Sequence, residues 1–158
     1  MPTHSFGRIF EIFDRHGVEY IVVGGVAAVL QGAPLATFDI DTLIKVDAAN
    51  AARLLAALDE LEARDREQAR PLAPTVDDIL AGGHLLLATN AGPLDVLGFI
   101  GKGRRYEDLR PSAPTLVIGT LTVPVLALAT LIEEKKALGR AKDQAVISLL
   151  ETVLRRGS

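Results

Sequence analysis

Two hydrophobic spacings take turns along the chain. From residue 5 to residue 16, Phe6, Ile9, Phe10 and Phe13 recur with a helical period. Gly17 then stands where a left-handed residue would end the helix. Tyr20 to Val23 is a short, largely β-branched run and predicts a buried strand. Gly24-Gly25 ends that strand, Val26 to Gln31 predicts a short helix, and Gly32 and Pro34 stop it. Phe38 to Val46 alternates and predicts a second strand. Asp47 is placed to cap the next helix, whose Ala51, Leu54, Leu55, Leu58 and Leu61 form one apolar stripe.

Arg64 to Arg70 is charged and predicts a lead into a loop. Thr75 and Asp78 have the spacing of a capping box for a short helix to Ala81. Leu85 to Thr89 and Leu94 to Leu97 flank Asn90-Ala91-Gly92-Pro93 and predict a hairpin. A second hairpin is predicted about Gly119-Thr120, between Leu116 to Ile118 and Leu121 to Val123. Two helices finish the pattern, at 126–138 and 141–154. Strands and helices are mixed, which predicts an α+β fold with a central mixed sheet flanked by helices. The 158 residues suit one domain, with a sheet-containing core over 1–125 and a helical pair over 126–158.

Composition narrows the function. Hydrophobic residues make up 49% and charged residues 23%, so a globular chain is expected. There is no cysteine, which excludes disulfides, thiolate metal sites and a cysteine nucleophile and fits a cytoplasmic location. No apolar run reaches the roughly 18 residues of a membrane span, and Met1-Pro2-Thr3-His4-Ser5 lacks the order of a signal peptide. A net charge of −3 is not that of a protein that coats nucleic acid. Any RNA contact therefore has to come from a local patch. Lys102, Arg104 and Arg105 form one basic cluster, and Lys135, Lys136, Arg140 and Lys142 form another.

Candidate chemistry concentrates at Gly24-Gly25 and at Asp39-Ile40-Asp41. Two aspartates two apart on a strand project from the same face. Their mutual repulsion is relieved by a divalent cation, and magnesium takes one or two carboxylates together with phosphate oxygens. Asp95 interrupts the apolar strand Leu94 to Leu97, a position that β-propensity does not favour. If that strand neighbours the Asp39–Asp41 strand, the three aspartates can hold two metal ions about 4 Å apart for in-line phosphoryl transfer. Asp95 is then the candidate to assist deprotonation of the acceptor. Gly24-Gly25, between a strand and a helix, would let phosphate approach the backbone. Thr37 could bond a phosphate or the Asp39 loop. Gly98 to Gly103 with Lys102 lacks the spacing and the Ser or Thr of a phosphate-binding loop. His4, His16 and His84 show no ligand spacing, and no serine-hydrolase elbow is present.

These residues resemble the polymerase-beta-type nucleotidyltransferases. The resemblance is nearer to the minimal bacterial members of toxin–antitoxin and abortive-infection loci. It covers Tyr20 to Ile44, with Gly24, Gly25, Asp39 and Asp41, then Leu94 to Leu97 with Asp95, and Leu131 to Asp143. It implies a nucleotidyltransferase fold with a C-terminal helical pair and a Mg2+ or Mn2+ site at Asp39, Asp41 and Asp95. It also implies nucleotide contacts from Gly24, Gly25, Thr37, Lys135, Lys136, Arg140 and Lys142. The implied partners are a nucleoside triphosphate, an RNA or protein acceptor, and a cognate toxin or antitoxin. Relatives often carry arginine where Leu35 stands and aspartate where Val146 stands. Losing that arginine would weaken nucleotide binding. The alternative expectation is therefore a catalytically inactive module of the same fold, and a third is a homodimer built through the apolar C-terminal helices.

Overall fold

The computed structural model describes residues 6–37 and 39–157. Phe38, Ser158 and the N-terminal pentapeptide lie outside the described residues. Helix α1, Phe6–Arg15, buries Ile9, Phe10, Ile12 and Phe13. It leads through Gly17, at φ 69°, into strand β1, Tyr20–Val23. Tyr20 stacks on Phe10 and meets Phe13 edge-on, which seats α1 on one face of β1. Helix α2, Gly24–Leu30, takes both glycines into its first turn, so it begins earlier than the apolar pattern predicts.

Strand β2 is Ile40–Ile44 and is almost wholly buried. The predicted strand was longer, and Asp39 precedes the first ladder residue. Asp47 caps α3, Ala48–Glu60, by accepting from the Asn50 backbone N–H at 2.7 Å. Leu54, Leu58 and Leu61 of the predicted stripe are fully buried, each worth about 1.5–3 kcal/mol relative to exposure. A two-residue strand β3, Arg64–Asp65, appears where only a charged loop was expected. Helix α4, Val76–Leu80, has the predicted Thr75/Asp78 capping box.

Strands β4, His84–Thr89, and β5, Gly92–Leu97, form a tighter hairpin than predicted, because Gly92 and Pro93 pair with Thr89 and Ala88. The turn shrinks to Asn90-Ala91. Gly92 adopts φ 112°, which only glycine tolerates readily, and Thr89 Oγ1 donates to its carbonyl at 2.6 Å. A short helix α5, Tyr106–Leu109, was not predicted. The second hairpin, β6 Thr115–Ile118 and β7 Leu121–Pro124, turns about Gly119-Thr120 as expected. Helix α6 is Leu128–Leu138, and α7, Gln144–Arg156, follows one turn of 3-10 helix at Ala141–Asp143.

The main sheet runs in the order β1-β2-β5-β4-β3. It is mixed: β2 and β5 are parallel, and the other neighbours are antiparallel. After β7 the chain returns to the free edge of β1, where the Leu126 N–H donates to the Val22 carbonyl at 2.9 Å. Gln31 fastens the start of α6 to the end of α2. Its Nε2 donates to the Ala27 and Leu126 carbonyls, and its Oε1 accepts from the Leu128 N–H. The architecture is thus the predicted α+β arrangement, with α6 and α7 packed beside the β1–α2 turn. No helix among the described residues is long and apolar enough to cross a membrane.

Candidate active site

The register of the sheet brings the acidic residues together. Asp41 on β2 lies directly opposite Asp95 on β5, and opposed residues project from the same face. The row continues to Val23 on one side and Leu86 on the other. Asp39 sits one residue before β2, with its side chain 46% exposed, while that of Asp95 is only 16% exposed. The three aspartates therefore do not share strand geometry. Asp41 and Asp95 form the inner pair, and Asp39 reaches the pair from the rim. Thr42, on the other face, donates to the Asp95 carbonyl at 3.0 Å and holds the two strands in register.

Gly24 walls the inner pair. It has φ 68°, and a Cβ there would run into Asp41 Oδ2. The carboxylate thus packs against bare backbone. A Cβ on Gly25 would come within 3.2 Å of Thr37 Oγ1, and that hydroxyl donates to the Asp39 carbonyl at 3.3 Å. Gly24 is needed where α2 meets the segment leading into β2, and Gly25 keeps a close fit to Thr37 there. Since α2 has only seven residues, their contribution is close backbone approach rather than a helix dipole.

The crowding has an electrostatic signature. Burial pushes the Asp41 acid up from 3.8 to about 7, aided by the charge of Asp95, a hydrogen bond with it, and the charge of Asp39. Arg66 works in the opposite direction. Its Nη2 donates to Asp95 Oδ1 at 2.6 Å and stands 3.7 Å from Asp39 Oδ2. Sequence reading missed this residue, because it lies in a polar stretch that looks solvated. The structure places it directly after Arg64-Asp65, one alternation step from Asp65, which pairs with Leu87. That step puts Arg66 on the Asp95 face.

Two adjoining cavities open beside Gly24, and the first of them reaches Asp41. One, of about 140 Å³, is bordered by Val23, Gly24, Asp41, Leu97, Lys135 and Arg140, among others. The second, of about 220 Å³, touches Gly24, Gly25, Leu35, Lys135, Val146 and Leu150. Gly24 and Lys135 border both. Leu35 and Val146 both line the second cavity. A larger cavity, of about 510 Å³, is lined by Leu85 and Leu87, which alternate away from Asp95, and by none of the three aspartates.

The basic residues divide. Lys135 Nζ lies 3.7 Å from Asp143 Oδ1, and Arg140 Nε donates to Asp143 Oδ2 at 2.6 Å. The Arg140 hydrogen bond holds the Asp143 acid below its ordinary range. Lys136 turns to α7 and donates to Glu151 Oε2 at 2.9 Å, and Lys142 borders neither cavity beside Gly24. Glu134, on α6, accepts from Arg104 Nη1 at 2.8 Å and helps line the smaller cavity.

Among the described residues, no three His, Cys, Asp or Glu side chains close around one metal position. The donors are nonetheless all oxygen, and the inner pair lacks positive charge enough to ionise Asp41 readily. That donor set fits a hard cation that arrives with phosphate oxygens, as magnesium does, and not an all-protein cage.

The fold is nucleotidyltransferase-like. A putative nucleotidyltransferase from Thermotoga maritima is similar in structure, with a TM-score of 0.59 over 90% of this chain and 87% of that one, at 18% identity. No family model matches the sequence, and no curated protein does.

Proposed function

We propose that the chain transfers a nucleoside monophosphate from a nucleoside triphosphate to a hydroxyl. The observation that carries this reading is the in-register Asp41–Asp95 pair, packed against Gly24 at a cavity bordered by Lys135. Asp41 and Asp95, with Asp39 at the rim, would hold Mg2+ or Mn2+. The ion would polarise phosphoryl oxygens and offset their charge. Gly24-Gly25 admits phosphate oxygens close to the backbone, and Lys135 and Arg140 face their negative charge. Asp95 takes the proton of the acceptor hydroxyl as its oxygen bonds to the α-phosphorus and pyrophosphate leaves. The acceptor is an RNA end or a protein side chain. The sequence resemblance favours a toxin–antitoxin or defence role beside a cognate partner.

Asp41→Asn should reduce transfer of labelled nucleotide to background while the circular dichroism spectrum stays native. Undiminished transfer in that variant would remove the carboxylate pair from the reaction.

Two observations favour a second reading, a catalytically inactive module that grips a partner. Arg66 already neutralises Asp95, and Leu35 gives the cleft an apolar wall. Calorimetry with magnesium and ATP separates the readings: absence of heat at millimolar nucleotide selects the inactive module.

A further inference from the structure

Arg66 is anchored at three points. Its backbone N–H donates to the Leu86 carbonyl at 2.9 Å, Nη1 donates to the Leu87 carbonyl at 2.8 Å, and Nη2 donates to Asp95 Oδ1 at 2.6 Å. Its side chain is 25% exposed. The guanidinium passes over Leu86, the residue between Arg66 and Asp95 in the cross-strand row, to reach the inner pair. Lys135 and Arg140, the cations bordering the cavity beside Asp41, are both within ion-pair distance of Asp143. Arg66 is thus the cation placed against the aspartates themselves.

A guanidinium stays charged at any working pH and donates through a rigid fork. Its fixed positive charge, 2.6 Å from Asp95 Oδ1, therefore opposes a divalent ion brought to the same face. We propose that Arg66 is the resident counter-ion of the carboxylate face and competes electrostatically with the divalent cation for it. This rests on the metal-dependent reading above and adds a competitor to it. The protein without metal has part of its carboxylate charge offset by the arginine, and metal loading is weakened by that charge.

The test is manganese binding by calorimetry to the nucleotide-free full chain, with no turnover involved. Arg66→Gln should bind Mn2+ at least tenfold more tightly than wild type, and Arg66→Lys, which keeps a charge but loses the fork, should lie between. If Arg66→Gln does not fold, as judged by circular dichroism, Arg66→Lys alone decides: tighter binding than wild type supports competition. Equal or weaker Mn2+ binding in the arginine variants, with binding lost in Asp41→Asn, overturns the counter-ion proposal and leaves the metal site standing. No Mn2+ binding by wild type or by any variant overturns both.

Discussion

At Gly24 one backbone conformation and one missing methyl group decide where a carboxylate sits. Gly24→Ala would place a side chain in the left-handed region, at a cost of about 1–2 kcal/mol, and would drive Asp41 out of line with Asp95. Urea denaturation should register that loss, and nucleotide transfer should fall further than stability does. The importance of Gly24, Asp41 and Asp95 was legible in the sequence, because a glycine pair after a strand and an aspartate inside an apolar strand are both locally improbable. Arg66 was not legible. Its role depends on a two-residue strand pairing with β4, and nothing local distinguishes it from Arg64 or Arg70. Lys135 and Lys136 looked equivalent because they are neighbours. Helix geometry sends them to different sides, one to the cavity and one to Glu151.

Among the elements, the segment between β5 and α5 supplies Ile100 and Gly101 to the smaller cavity. It is tied to α6 by Arg104 and Glu134, and a Cβ on Gly101 would strike Glu134 Oε2. Arg104→Ala leaves Glu134, whose side chain is 10% exposed, without its cation. Since Arg104 itself is 44% exposed, solvent moderates the penalty to about 1 kcal/mol, measurable as a lower urea midpoint. Strong periodicity made α1, α3, α6 and α7 legible, and turn chemistry did the same for both hairpins. Boundaries were less so. The apolar alternation suggested that β2 runs through Asp39, but the sheet ladder begins at Ile40. Nothing in the pattern announced β3 or α5, each too short to carry a period.

For the whole molecule, Asp41 sets a pH dependence. Its acid rises to about 7 in the native state, whereas in the unfolded chain it returns to about 3.9. Between those values the native protein keeps a proton that the unfolded chain has released. Stability therefore falls as pH climbs from about 4 to about 7 and levels off above. Glu60 and Asp143 have acids lowered chiefly by hydrogen bonds from Arg15 and Arg140. Their contributions have the opposite sign and are lost only at more acidic pH. Without divalent ions, urea midpoints at pH 5 should exceed those at pH 8, and Asp41→Asn should flatten the difference.

The parallel pairing of β2 with β5 joins residues far apart along the chain. Between the two strands lie α3, β3, α4 and β4, so Asp95 is synthesised long after Asp41. Until that later strand docks, Asp41 stands on a ribbon with one neighbour and has no opposing carboxylate. On a growing polypeptide the opposed pair is therefore absent until β5 has emerged, and the face that gathers charge exists only once the sheet has closed around it.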